Sequence, residues 1–459
     1  MYRSILDKYF IGTCLFIIFL GMLTTAFPEG AAAMLIVILP SAVFLYVFRR
    51  NAEDKDFVSK LFLAALIVRL TFGIFIHIYD LRPFFGGDAN TYDALGQRIL
   101  DYWQGVAPGD DPFVLRATDM SLPGWGMNYL TAAIYGLLGP NIFAAQSFCG
   151  VIGAATAPLV YFCSLSIFGN DRVAKVSAIA IAFFPSFIIW SSQLLKDGLI
   201  IFLLVLAVLM VLRLQEKFDF WALSLLLASL FGVLSLRFYI FYMLAAAVVG
   251  TFIVGVSRSS NSLIRRTLAL VLMGLGLTYV GALRTASLNY DKFSNLEQVQ
   301  ISRSDLAQSA ESGYGGDVDV STSEGAIQQL PVGFVYLMLA PFPWQMSNFR
   351  QLITLPEVLL WWALIPWMIF GIGFTLRRKL RAALPILIFS LMLTLAYSVF
   401  QGNVGTAYRQ RTQIQVFLFM FIAVGWELRK EKKEDERELK LAKRREFEDR
   451  IRGGRVLSN

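Results

Sequence analysis

Residues 183–206 read FFPSFIIWSSQLLKDGLIIFLLVL: an apolar run, a polar break with adjacent opposite charges at Lys196 and Asp197, and a second apolar run. Each run holds about 15 residues, or roughly 22 Å as a helix, against about 30 Å of hydrocarbon in a bilayer. Neither run can cross unless the break is drawn toward the lipid. An ionisable group there costs several kcal/mol unless it is paired or faces water. In lipid every backbone polar group must also be satisfied within the protein, so the runs are read as helices of a bundle that meet at a charged turn.

The rest of the chain repeats this alternation. Of 459 residues, 56% are hydrophobic and only 16% charged, with a mean hydropathy of +0.60, more apolar surface than one water-soluble core would bury. The pattern predicts an all-α polytopic membrane protein of about 12 transmembrane helices, over 9–27, 31–48, 60–79, 144–167, 175–191, 197–213, 219–236, 238–257, 265–283, 356–376, 382–400 and 411–428. The first run lacks a small-residue cleavage site and is read as an uncleaved anchor.

The net charge of +8 does not indicate nucleic acid, because the basic residues lie between apolar runs and in the tail. They report orientation instead. Arg49-Arg50, Arg172 with Lys175, Arg213 with Lys217, Arg258 with Arg265-Arg266, and Arg377-Arg378-Lys379 with Arg381 all fall on the cytoplasmic side if two further apolar stretches do not span. Those are 122–138, short and interrupted by Gly124, Gly126 and Asn128, and 331–349, interrupted by Pro341 and Pro343. Three parts follow: two N-terminal helices (1–59), a transmembrane body (60–428) with outer loops 80–143 and 284–355 carrying short interfacial helices, and a charged tail (429–459). Both termini are expected in the cytoplasm, and the expected location is the inner (plasma) membrane. The tail reads as a solvated helix laced with i,i+4 charge pairs.

Nearly every polar residue that a bilayer does not excuse lands on the outer side. RPFFGGDANTYDALGQRILDYW (82–103) sets Asp88 just beyond a span, as the cap of a short interfacial helix or as a functional carboxylate, with Tyr92 one turn on. GNVGTAYRQRTQIQVF (402–417) sets Arg409 and Arg411 at the outer mouth of the last span, against the positive-inside bias, and SLRFYIF raises the same question at Arg237. Guanidinium forks bind phosphate or carboxylate, or snorkel to headgroups. A shared cavity would gather Asp88, Lys196, Asp197, Arg237, Arg409 and Arg411. That set suits removal of a proton from an acceptor and stabilisation of a departing phosphate. The single histidine, His77, lies in a span and reads as a buried imidazole, and Cys14, Cys149 and Cys163 read as small buried hydrophobes. The triplet Asp317-Val318-Asp319 is a weak metal signal, and 284–330 reads as a flexible lid or a surface loop.

GGDANTYDALGQRIL, PGWGMNYLTAAIYGLLG and FFPSFIIWSSQLLKDGLIIFLLVL, in this order, resemble the first-loop acidic motif, the helix after the first loop, and the second acidic site of the GT-C membrane glycosyltransferases. The resemblance covers about residues 60–215. It implies a GT-C-like bundle and inverting transfer of a sugar from a polyprenyl-phosphate donor to a lipid, glycan or protein acceptor at the outer face, among membrane lipids and without nucleic acid. It implies Asp88 as general base, Asp197 as second acid, Tyr92 as a substrate-positioning residue, and Lys196, Arg237, Arg409 and Arg411 as donor-phosphate ligands. Asp88 and Asp197 become the ligands of a divalent cation, Mg2+ or Mn2+, if one is used. Ala89 stands where many relatives carry a second acid, which weakens the metal reading. A polysaccharide polymerase or ligase is the alternative enzyme, and a flippase of a lipid-linked anion is the alternative outside catalysis; the latter needs internal repeats that the sequence does not display.

Overall fold

The computed structural model describes residues 2–25, 28–254, 260–308, 312–315, 318–346 and 349–456. These are helical apart from turns, two short 3-10 segments and one isolated bridge between Gly313 and Asn403. The chain opens with α1 (Tyr2–Thr25), α2 (Glu29–Asn51) and α3 (Lys55–Ile78), then places three short helices together: α4 (Asp88–Trp103), α5 (Pro112–Thr118) and α6 (Trp125–Leu138). There follow α7 (Ile142–Phe168), α8 (Asp171–Phe183), α9 (Pro185–Ser191), α10 (Lys196–Glu216), α11 (Phe220–Leu236), α12 (Phe238–Val254) and α13 (Ser260–Tyr279). A second short group, α14 (Ala282–Ser294), α15 (Leu296–Gln308) and α16 (Ser323–Leu339), precedes α17 (Phe349–Arg378), α18 (Leu380–Phe400) and α19 (Val404–Val456).

Six of these, α2, α3, α7, α10, α17 and α18, are long and apolar enough to cross a bilayer, and α8 with α9 makes a seventh if the bent pair is one span. The chain is a multi-pass helical membrane protein. At its centre is α7, 83% of whose apolar window is buried, packed by α2, α3, α8 and α10. Gly150, Gly153, Ala154, Ala155 and Ala157 keep its surface low enough for helices to approach closely. Asn141 starts the helix by accepting from the Ala144 N–H at 2.9 Å.

Polar contacts define two ends. At one end Lys175 Nζ lies 2.8 Å from Asp54 Oδ2, Arg172 Nη1 lies 3.1 Å from Glu427 Oε1, and Arg213 donates to Asn51 at 3.3 Å. The last turn of α17, with Arg377 and Arg378, belongs to this basic end, because α17 and α19 run side by side with the Trp367 and Trp426 rings 5.3 Å apart. The opposite end is where α3, α9 and α11 finish and α7, α10 and α19 begin. There Asn141 donates to the Glu29 carbonyl at 2.9 Å and His77 stacks on Phe143.

The two stretches read as non-spanning stay at this second end. α6 packs along α4 and leads directly into the start of α7. α16 enters the bundle only as far as Trp361 and Trp362, whose indole N–H groups donate to the Met338 and Leu339 carbonyls at 2.8 and 3.0 Å. The chain then turns back, Gln345 donating to the Tyr336 hydroxyl at 3.1 Å, and α17 starts again at this end with Arg350 over the Phe84 ring. The segment 284–330 is a correction: α14, α15 and the start of α16 occupy most of it, rather than a structureless lid. Asp317 lies outside the described residues, and Asp319 is exposed and caps the Ser321 N–H at 2.8 Å.

Candidate functional site

Four elements deliver charge to one point at the second end. Asp88 is the first residue of α4 and acts there as an acidic N-terminal residue rather than as the cap; Gly87, at φ 74°, occupies the cap position and gives no side-chain bond. Lys196 and Asp197 form the first turn of α10, so the break read from the sequence is a helix start, where the helix dipole favours the carboxylate. Arg237 caps the C-terminus of α11, where the dipole favours a cation. Arg409 projects from the second turn of α19.

Arg409 is the hub. Its Nε and Nη2 lie 2.6 and 2.5 Å from Asp197 Oδ2, and its Nη1 lies 2.8 Å from Asp88 Oδ2. Arg237 Nη2 reaches the other Asp197 oxygen at 3.2 Å, and Gln413 Nε2 is 3.5 Å from that same oxygen. The Trp190 ring covers the Arg409 guanidinium at 5.3 Å. Lys196 Nζ sits 5.9 Å from the centre of the Tyr92 ring, beside Gly124. A Cβ on Gly124 would stand 3.1 Å from Lys196 Nζ and 3.3 Å from the Tyr92 hydroxyl, and the residue's φ of +88° already excludes most side chains. Gly124 was visible in the sequence only as a reason to doubt a span.

Burial separates the two acids. Asp197 is fully buried, whereas the Asp88 side chain is 46% exposed. The Tyr92 phenol is buried, and burial followed by the charge of Asp88 holds its pKa above the ordinary value, so it stays protonated and able to donate. Arg237 and Arg409 pair with the two carboxylates, and Lys196 stands beside them over the Tyr92 ring. Arg237 Nη1, though buried, has no hydrogen-bond partner among the described residues. The arrangement can hold an anion and present one exposed carboxylate beside it.

Arg411 is a correction. It is buried away from the cluster, donating from Nη1 to the Met338 and Ala340 carbonyls at 2.9 Å each and lying over the Trp361 and Tyr408 rings. Those carbonyls belong to the frayed end of α16 before Pro341, and a guanidinium supplies the donors that the helix has lost. The metal reading also fits poorly: Arg409 stands between Asp88 and Asp197, and no group of three or more metal-ligating side chains exists among the described residues. A dication would have to displace a guanidinium already paired with both acids.

Sequence reasoning missed Trp190, Gln413 and a neighbouring buried acid, Glu357. Ser186 donates to Glu357 and also lies 3.0 Å from the Tyr408 hydroxyl. A signal for two of them was present: glutamines at 410, 413 and 415 and a lone glutamate in LPEVLLWW are polar residues inside apolar runs. Fold and site together define a class, a multi-pass helical membrane protein with a buried ion cluster where its helix ends converge. No family model, curated protein or solved structure matches this chain.

Proposed function

We propose that the protein is an inverting glycosyltransferase that takes a sugar from a polyprenyl-phosphate donor at the outer face of the plasma membrane. The observation that carries this reading is the Asp88–Arg409–Asp197 bridge with Arg237 and Lys196 around it. It sets two arginine forks and a lysine, as donors for the donor phosphate, beside one accessible carboxylate. In this proposal the six long apolar helices and the bent pair cross the membrane together with the four shorter apolar helices and the first half of α19, twelve crossings in all. The basic end is then cytoplasmic, as are both termini, and the ion cluster faces outward.

In this mechanism the isoprenoid tail stays in lipid while the donor phosphate meets Lys196, Arg237 and Arg409. Asp88 accepts the proton of the acceptor hydroxyl as that oxygen attacks the anomeric carbon, and the phosphate leaves with the bonding electron pair. The Tyr92 hydroxyl positions substrate beside Lys196. Asp197, buried beneath two arginines, fixes their forks rather than touching substrate.

The test is transfer by membranes carrying Asp88→Asn or Asp197→Asn. Each variant should accumulate while forming no product, and normal product from both removes the proposal. Arg409, not Asp88, is the hub of the cluster, which favours as second reading a polymerase or ligase using the same lipid-linked donors. That reading predicts a ladder of glycan lengths that depends on Arg409 and survives Asp88→Asn.

A further inference from the structure

A second polar cluster lies in the cap over this end of the bundle, apart from the ion cluster. Arg303 of α15 is 2% exposed and Gln329 of α16 is 1% exposed, and both are surrounded by protein. Arg303 uses Nη1 to donate to the Val318 carbonyl at 3.0 Å, but its Nε and Nη2, the side-on edge of the fork, have no hydrogen-bond partner among the described residues. Among the described residues, both amide atoms of Gln329 and the hydroxyl of the buried Tyr314 are likewise without a hydrogen-bond partner. Burial drives the Arg303 pKa down and the Tyr314 pKa up, outweighing the mutual attraction of the two groups.

Five unsatisfied buried polar atoms on three residues are unusual, because buried polar groups in folded proteins are almost always hydrogen-bonded. Three of them, Arg303 Nη2 and the two amide atoms of Gln329, lie under Gly315, the partly exposed residue of the turn. A Cβ built there would lie 2.4 Å from Arg303 Nη2 and 3.4 and 3.5 Å from the two amide atoms of Gln329. Gly315 adopts φ +62°, so a side chain is excluded both by conformation and by the guanidinium beneath it. The turn is fixed to the catalytic end: Tyr314 N–H donates to the Gly402 carbonyl at 2.8 Å, and Val404 N–H donates to the Ser312 carbonyl at 3.0 Å. Val404 begins α19, whose second turn carries Arg409. From Val404 to Arg409 the helix rises five residues, about 7.5 Å.

We propose that Arg303, Gln329 and Tyr314 form a second anion subsite, built for a carboxylate or phosphate with an adjoining hydroxyl. The free Nε–Nη2 edge of Arg303 binds two oxygens of the anion in its plane. The Gln329 amide offers one donor and one acceptor to a vicinal hydroxyl, and the Tyr314 hydroxyl completes the set. Entry requires the Gly315 turn to lift from the guanidinium. The shared chemistry is found in an acidic sugar and in a phosphate headgroup.

The experiment uses the full chain in nanodiscs, titrated separately with glucuronate, inorganic phosphate and glucose and followed by ligand-induced thermal shift. Wild type should bind anions at two classes of site and should not respond to glucose. Arg303→Met, Gln329→Leu and Gly315→Ala should each lose one class, with at least tenfold weaker binding there, while the class at Arg409 persists. Arg303→Lys should lose it too, since it keeps the charge and abolishes the fork. A stronger response to glucuronate assigns the subsite to an acidic glycan, and a stronger response to phosphate assigns it to a lipid phosphate. A single class of site in wild type, or equal anion binding in wild type and Arg303→Met, overturns the proposal and leaves the cluster to water. No transfer reaction is needed, so this outcome is separate from that of the proposed activity.

Discussion

Asp88 and Asp197 share one guanidinium in very different surroundings, and substitutions at the two should separate function from folding. The Asp88–Arg409 pair is half-exposed on the acid's side, so Asp88→Asn should cost under about 1 kcal/mol of stability while lowering transfer by about 10²–10⁴-fold, the contribution of a general base. Asp197 is fully buried against two arginines, and Asp197→Ala leaves the buried Arg237 without its carboxylate and Arg409 with Asp88 alone, which should destabilise the protein by about 3–5 kcal/mol. Thermal unfolding of the solubilised variants beside a transfer assay checks both. A large loss of stability in Asp88→Asn, or none in Asp197→Ala, would refute this division of roles. That Asp88 and Asp197 were unusual was legible from their positions beyond and between apolar runs. That one arginine serves both was not, because residues 88, 197 and 409 are brought together only by helix packing.

Two buried arginines repair broken helices, at the scale of the element. α8 and α9 are bent by 53° at Pro185, which has no N–H for the Ile181 carbonyl. Arg69 of α3 fills the gap, donating to the Ile181 and Ala182 carbonyls at 3.1 and 3.0 Å and to Ser191 Oγ at 2.9 Å. Arg411 does the same for the end of α16. Arg69→Met should therefore destabilise the protein by about 1–3 kcal/mol for each orphaned carbonyl, and hydrogen exchange should show faster opening of α8 and α9. Unchanged protection there would mean that the bend does not depend on Arg69. At the other end Asp54 caps α3 by accepting from the Phe57 N–H at 3.0 Å. The Lys175 hydrogen bond, then the Phe57 N–H, holds its pKa below the ordinary carboxylate value. A lowered folded-state pKa gives stability that is present above the unfolded value, about 3.9, and lost as pH falls through the folded one. Asp54→Asn should thus be less stable than wild type near neutrality and show a shallower acid limb in unfolding measured from about pH 5 down to about pH 2.

Over the whole molecule, the alternation of helices places the ion cluster at one end and Arg49, Arg172, Lys175, Arg213 and Arg377 at the other. If the basic end is cytoplasmic, single cysteines introduced at the exposed Asp110 and Glu324 should react with an impermeant maleimide from outside, and cysteines at Gly169 and Lys379 only after permeabilisation. Labelling of Asp110 and Gly169 from the same side would dismantle the topology and the proposed enzyme with it. The sequence by itself determined the solvent of this protein, because apolar runs of membrane-spanning length are read locally along the chain. It also singled out most of the charges at the site, since an ionisable group in an apolar run is conspicuous without any partner in view. The tertiary structure decided which of those charges meet: Arg409 bridges the acids while Arg411, two residues away, turns to carbonyls, because on a helix residues two apart point in different directions. It alone disclosed the buried trio over Gly315, since unpaired polar atoms become visible only when the packing around them is known.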